Sequence, residues 1–401
     1  MSSTHATATK SRVSFEDTSV AFSYKSNAQL RKTYFIFACM NQNWLVKLGT
    51  FFIKLLLFLH FPVKKLIKYT VFEQFCGGET LQECNRTIEN LDKVHIGTIL
   101  DYSVEGEESE ASFDRTLKEI LETIEKAHNN SAIPFAVFKV TGIANTELLN
   151  KIQDEHDLTN DDKAAYERVR ERMNMLCKRA AELDVKIFVD GEESWIQDTI
   201  DTLTYGMMEK YNHDKCIVFN TYQMYRRDML DNLKLAAKDA REKGYFLGVK
   251  LVRGAYMEKE RQRAHENEYC EPVHTTKEAT DKDYNSGIDF CVENRETISI
   301  CVGTHNEYSC KYLVDLMKKN NISHDDKHFY FAQLLGMSDN ISFNLAKANY
   351  NVAKYVPYGP VEAVMPYLFR RAEENTSIAG QTSREFSLIR KEMIRRKKKS
   401  A

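Results

Sequence analysis

Proline and glycine are scarce in this chain, at 6 and 16 of 401 residues. That excludes a collagen-like repeat and a low-complexity linker protein. An excess of one charge is also missing. Lys+Arg number 56 and Asp+Glu 58, a formal net charge of −2, so there is no broad positive field to hold nucleic acid. With 43% apolar and 28% charged residues, the chain carries too much apolar mass for disorder. No C-x-x-C occurs, and the 9 cysteines are scattered from Cys39 to Cys310, several inside apolar runs such as CIVFN and ISICVG. Buried free thiols in a reducing compartment are expected, not disulfides or zinc. Asp190, Glu192, Glu193 and His305 could be read as metal ligands, but no H-x-H or H-E-x-x-H supports it. No G-x-G-x-x-G or P-loop follows a strand-like run, which argues against a Rossmann or Walker site.

Long apolar runs are absent too. The N-terminus MSSTHATATKSRVSFED has no apolar core and is not a secretory signal. It is Ser/Thr-rich with no acid before Glu16, a faint transit-peptide character. In Trp44 to Tyr69 the uninterrupted apolar run is only Leu55 to Leu59, against the ~20 residues a spanning helix needs. A helix packed on the protein is the first reading. A membrane-surface helix is the second, because Lys64, Lys65 and Lys68 lie beside a Trp/Phe/Leu face.

What is present is a repeated unit. From about residue 94 onward, short β-branched or aromatic runs alternate with helix-like stretches. The runs are VHIGTIL, PFAVFKV, VKIFVD, CIVFNTY, YFLGVKLV, ISICVGT, HFYFAQLL and NVAKYVPY. They are near-continuously apolar, as a parallel sheet covered on both faces requires. The helical pattern DMLDNLKLAAKDAREKG ends on Gly244, a plausible residue just past a helix end. Eight such units predict an α/β fold, a distorted (β/α)₈ barrel; an open doubly wound sheet is the alternative. Residues 1–90 are expected as an N-terminal helical arm and 91–401 as the barrel. A helical insertion is expected near 145–179, and the basic tail Arg384 to Lys399 as a solvated end.

In such a barrel, chemistry belongs at the C-terminal ends of the strands. Strand two delivers Lys139 there, strand three Asp190, strand four Gln223, strand five Lys250, Arg253 and Tyr256. Strand six ends in Thr304 and His305, strand seven runs into AQLLGM, and strand eight reaches Tyr355. The helix after it carries Arg370 and Arg371. A lysine within an apolar strand, such as Lys250, is costly unless paired or set against an anion. Five cations aimed at one face suit a carboxylate or a pyrophosphate.

The motifs FKVTG, VDGEES, YQMYRRD, KLVRGAY, GTHN, QLLGM and YVPYGPVEAVMPYLFRRAEEN, in this order, resemble the proline dehydrogenase family, from about residue 72 to 395. The resemblance implies noncovalent FAD and oxidation of L-proline to Δ1-pyrroline-5-carboxylate, by hydride transfer from C5 to flavin N5. It implies electrons passed to a membrane quinone, ubiquinone or menaquinone. By resemblance, Arg370 and Arg371 hold the substrate carboxylate. Adjacent helical positions point about 100° apart, so the two grip from different sides. Lys139 matches the active-site lysine, Asp190 a carboxylate that orients a neighbouring cation, and Glu374 one that steadies the arginines. Leu334, Tyr355 and Tyr256 match the walls of the substrate pocket. Gln223, Lys250, Arg253, Thr304 and His305 match flavin-binding positions; Lys250 stands where some relatives have Arg. An aromatic residue at Tyr355 crowds a ring hydroxyl, so proline is expected over hydroxyproline. Partners expected are peripheral membrane and a pyrroline-5-carboxylate dehydrogenase, with no second dehydrogenase domain in this chain. The location expected is the bacterial cytoplasm at the inner-membrane surface, or else the mitochondrial inner membrane on the matrix side. Rival readings are a Schiff-base enzyme using Lys139 and a non-enzymatic membrane-surface scaffold.

Overall fold

The computed structural model describes residues 13–42, 44–46, 48–51, 64–104, 108–377 and 381–400. Eight parallel strands close into a barrel in chain order. They are β1 (Gly97–Tyr102), β2 (Phe135–Phe138), β3 (Lys186–Val189), β4 (Val218–Gln223), β5 (Leu247–Val252), β6 (Ile298–Gly303), β7 (Phe329–Leu334) and β8 (Val352–Tyr358). Each overlaps one of the eight predicted runs, with β1 and β4 extending one or two residues beyond theirs. The closing pair β1–β8 is in register from Gly97 opposite Ala353 to Tyr102 opposite Tyr358.

The continuous apolar runs resolve into two rows of side chains, because alternate residues of a strand face opposite sides. One row fills the barrel: Ile99, Phe135, Val137, Phe188, Phe219, Cys301, Ala332, Ala353 and Tyr355 form one buried cluster. The other, including Leu100, Ala136, Ile187, Val218, Val249, Ile300 and Val356, packs under the surrounding helices. Inside, Phe135 stacks on Phe188 with centroids 4.2 Å apart, and Phe219 meets both edge-on at 5.5 Å. Truncating such a buried Phe to Ala costs about 3–5 kcal/mol.

The helices begin and end where local chemistry dictates. Ser109 caps the helix Glu110–His128, and Thr159 with Asp162 forms a capping box for Asn160–Glu182. Gly244 closes Met229–Lys243 at φ 75°, the left-handed conformation that favours glycine. The stretch expected as an insertion holds two helices, Thr146–Gln153 and Asn160–Glu182. The longer one buries Val169, Met173 and Leu176 in the main core, so it is the regular crossover between β2 and β3, and only the shorter one is additional.

A second core joins the two ends of the chain. Phe22, Leu30, Phe37, Phe72 and Phe75 pack with Val364, Met365 and Leu368 of the helix Val361–Ser377. Leu388 and Ile389 of the helix Gln381–Ser400 complete it. The C-terminal segment is therefore not the solvated tail expected: its apolar stripe docks on the arm. Glu392, fully buried, pairs with Arg395 at 2.7 Å and Arg396 at 2.8 Å, and Arg384 binds Glu307 at 2.9 Å. Among the described residues no helix is long and apolar enough to cross a membrane. Half of the stretch 44–69 expected as a packed or membrane-surface helix, residues 47 and 52–63, lies outside the described residues. All nine cysteines are free, and seven of them are buried.

Candidate active site

The inward row continues past the core and changes character at the C-terminal rim. Two residues beyond the buried Ile99, Val137, Phe188 and Ala332 come Asp101, Lys139, Asp190 and Leu334. Gln223 stands four beyond Phe219, and Lys250 lies opposite Cys301 in register. Strand parity thus delivers these side chains to one rim. It also brings in Asp101 of β1, a residue the sequence reading passed over although the same strand-end argument applied to it.

Lys250 and Asp190 form the centre. Lys250 Nζ binds Asp190 Oδ1, and Tyr355 Oη donates to Asp190 Oδ2 at 2.6 Å. Burial, with Asp190 alongside, raises the Tyr355 hydroxyl well above the ordinary tyrosine range. It therefore stays protonated as the donor in that bond. The ammonium lies 4.7 Å above the Tyr355 ring and 5.2 Å from that of Phe188. Its cost of burial in an apolar strand is thus met by a carboxylate and two aromatic faces. Asp101 is buried, accepts from Ser103 Oγ at 2.6 Å, and is raised by desolvation against the opposing charge of Lys139.

Next to this centre, Glu192 accepts from Thr141 N at 3.0 Å and from the Thr141 hydroxyl, and burial pushes its carboxyl up to about 7. Gln223 donates to the Glu192 carbonyl at 2.5 Å. Arg253 has its planar fork fixed by Asp281 at 2.8 Å, Thr304 Oγ1 at 2.6 Å and Ser309 Oγ at 3.0 Å, over the Tyr284 ring. Gly254 follows at φ 129°, and a Cβ there would sit 2.4 Å from the Tyr225 ring; only glycine allows Arg253 to turn out at this point. His305 Nδ1 meets Ser338 Oγ at 2.9 Å. Burial, with Lys354, Arg371 and Arg253 nearby, lowers its pKa to about 3, so it is neutral.

Arg370 and Arg371 project from the helix Val361–Ser377. Arg371 is buried, with its guanidinium 5.3 Å from the Tyr367 ring centroid. The charge of Arg370 acts on Tyr256 and that of Arg371 on His305, so the pair reaches different parts of the face. Tyr256 is buried and its hydroxyl pKa is raised by desolvation. Glu374 follows one turn after Arg370 on the same helix; its side chain lies outside the described set. Among the described residues no three His, Cys, Asp or Glu side chains are grouped to hold a metal.

The fold and this rim define a class: a (β/α)₈ barrel whose C-terminal face carries a mostly cationic polar cluster over an aromatic floor. Comparison with known proteins narrows it. The family model "Proline dehydrogenase" matches residues 84–384, and the chain belongs to the proline dehydrogenase family of enzymes. It is 33% identical over 426 residues to "Proline dehydrogenase 1, mitochondrial" of Dictyostelium discoideum, covering 95% of this chain and 74% of that protein. The human protein of the same name is 42% identical over 241 residues, covering 59% of this chain and 40% of its own. The fold matches proline utilization A of Bdellovibrio bacteriovorus, solved after inactivation by N-propargylglycine. That match has a TM-score of 0.72 and 19% identity, over 93% of this chain and 38% of that one. The chain thus spans well under half of the human protein and of the bacterial one.

Proposed function

We propose that this chain oxidises L-proline to Δ1-pyrroline-5-carboxylate, using noncovalently held FAD and a membrane quinone as the final acceptor. One observation supports it above the others. The Lys250–Asp190–Tyr355 cluster lies at the same barrel end as the helix bearing Arg370 and Arg371. A zwitterionic, ring-shaped substrate needs that combination of cations and an aromatic wall.

The donor set fits FAD. Gln223, Lys250, Arg253, Thr304 and His305 come from three successive strands and the segments after them. They are cationic or able to donate, and the Arg253 fork is held rigid, which suits a pyrophosphate and a polar ring edge. FAD, when bound, supplies the two-electron acceptor for the C5 hydride at its N5. The chain's own contribution is positioning. Arg370 and Arg371 hold the proline carboxylate, steadied by Glu374, while Tyr355, Leu334 and Tyr256 wall the ring. Lys139 adds a second cation at the carboxylate. The ring nitrogen loses a proton as C5 loses its hydride, leaving the C=N bond of the product. Both oxygens of Asp190 are already held by Lys250 and Tyr355. Asp101, a buried carboxyl beside the charge of Lys139 whose proton affinity is raised by desolvation, is the acceptor for that proton.

Membrane contact fits the exposed Trp44, Phe51, Leu66 and Tyr69 and the exposed Lys65 on the arm. Relatives named as mitochondrial favour the mitochondrial inner membrane over a bacterial one. The test is an absorption spectrum before and after anaerobic proline. A flavin spectrum that bleaches is expected; a colourless protein, or a flavin indifferent to proline, removes the proposal.

A further inference from the structure

The main-chain ladder between β2 and β3 ends at the rim, where Asp190 N donates to the Phe138 carbonyl at 2.9 Å. Beyond that bond a side chain takes over. The Glu192 carboxyl binds Thr141 twice, accepting its backbone N–H at 3.0 Å and pairing with its hydroxyl. Lys139 therefore lies in a short span of chain tied to the exit of β3 at both ends, at Phe138 by a main-chain bond and at Thr141 by this clamp. The turn Val140–Gly142 closes on Lys139 itself, with Gly142 N donating to the Lys139 carbonyl at 3.1 Å.

Glu192 is itself held firmly. Its N–H goes to Gln197 Oε1 at 2.7 Å, and its carbonyl receives Gln223 Nε2 at 2.5 Å. Gln197 is oriented by Asp201 at 2.7 Å, and Asp201 accepts from Asn220 of β4 at 2.8 Å. Glu192 is only 3% exposed. A carboxyl is costly to bury, and simple packing would not need one. What the carboxyl adds is two oxygens that meet a backbone N–H and a hydroxyl at once. The clamp holds in either charge state. When Glu192 is protonated, the bond with the Thr141 hydroxyl reverses direction and the bond from the Thr141 N–H stays.

We propose that Glu192 is a positioning residue: by clamping Thr141 it fixes the backbone at Lys139, so that the Lys139 ammonium is presented to the proline carboxylate alongside Arg370 and Arg371. The proposal rests on the reading above of Lys139 as a cation at that carboxylate. The exit of β3 then serves both parts of the site. The Glu192 main chain braces the Gln223 amide on the flavin side, and its side chain sets Lys139 on the substrate side.

The test uses the full-length flavin-loaded protein and three readouts. They are proline kinetics with a soluble dye, inhibition by cyclopentanecarboxylate, and the FAD dissociation constant. Cyclopentanecarboxylate keeps the ring and carboxylate but has no ring nitrogen to oxidise, so it reports the carboxylate grip alone. In Glu192→Ala the KM for proline and the inhibition constant should each rise about 10-fold, while kcat and the FAD dissociation constant stay within about 2-fold of native. Glu192→Gln should restore both constants, because its amide oxygen accepts the Thr141 N–H and its amide nitrogen donates to the hydroxyl. Thr141→Val keeps the N–H and loses the hydroxyl, and should raise both constants by a smaller factor, about 3-fold. Native constants in Glu192→Ala overturn the proposal, as does a loss in Glu192→Gln as large as in Glu192→Ala. If Glu192→Ala does not fold, Thr141→Val decides, and native constants there overturn the proposal. An inhibition constant that rises in Lys139→Ala but not in Glu192→Ala removes the clamp alone; one that is native in Lys139→Ala removes the reading of Lys139 as well.

Discussion

The bond between Tyr355 and Asp190 can be measured directly through a double-mutant cycle of Tyr355→Phe and Asp190→Ala. The hydroxyl and carboxylate are 2.6 Å apart and largely screened from water. A hydrogen bond to a charged group in such a place is worth about 1.5–3 kcal/mol. Tyr355→Phe removes that bond and the long 3.5 Å one from Lys250 Nζ, while Asp190 keeps Lys250. Asp190→Ala is more severe, because it strands the Lys250 ammonium; breaking a buried pair from one side costs about 3–5 kcal/mol. The loss should lie toward the lower end, since Tyr355 Oη, 3.5 Å from Lys250 Nζ, remains as a partner. In the double mutant the tyrosine bond is already gone, so the two losses should fall short of additive by about 1.5–3 kcal/mol. The assay is equilibrium urea unfolding of the four proteins in one flavin state. Additivity within about 0.5 kcal/mol would show that the two groups do not interact, and would remove the central cluster as drawn.

Arg371→Met should raise the KM for proline steeply while FAD remains bound; an unchanged KM would sink the carboxylate assignment. Tyr355→Ser should shift preference toward hydroxyproline, read as the ratio of kcat/KM values, because it opens the space over the ring; an unchanged ratio refutes the crowding argument. Glu192 titrates near 7 in the folded chain against 4.5 as its reference value. Between those values the folded state binds more protons than the unfolded, so its contribution to stability declines as pH rises from about 4.5 to 7 and stays lost above. Glu192→Gln should therefore gain stability relative to the native protein on going from pH 5 to pH 8, by an amount on the order of 3 kcal/mol. A pH-independent difference in urea unfolding would contradict the burial of that carboxyl.

The barrel was legible because both faces of each strand are buried, which leaves long apolar runs with little polar alternation. The rim was legible for the same reason: a polar residue in or at the end of such a run stands out, as Lys250, Lys139 and Asp190 do. Asp101 closes the run of β1 in the same way, two residues after Ile99, so its omission was an incomplete use of an available signal. Partnerships were not legible. Asp190 and Lys250 are 60 residues apart, and nothing local to either says that they meet. Tyr24 and Glu385, which bind Asp339 and the Ser338 N–H, lie still further beyond sequence reasoning, since their contacts depend on how the two ends of the chain pack together. The basic C-terminal stretch misled because its charges are conspicuous, while its buried stripe of Leu388 and Ile389 is narrow.

Two buried lysines in this barrel show what separates a functional charge from a structural one. Lys250 and Lys354 both sit inside apolar strands, and each is matched by an aspartate. Composition cannot tell them apart, but parity can. Lys250 lies opposite Cys301, a residue of the barrel interior, so it points inward toward the open rim. Lys354 precedes Tyr355, which is itself interior, so it points outward into the packing beneath the arm. The inward lysine shares its carboxylate with a tyrosine that borders the pocket, where a ligand can compete for or strengthen the arrangement. The outward one is fully buried, shares its carboxylate with Tyr24 of the arm, and spends its remaining hydrogens on main-chain carbonyls. The first pair thus faces the barrel rim, while the second faces the arm, where Lys354 and Asp339 line a cleft with Tyr24 and Gln74.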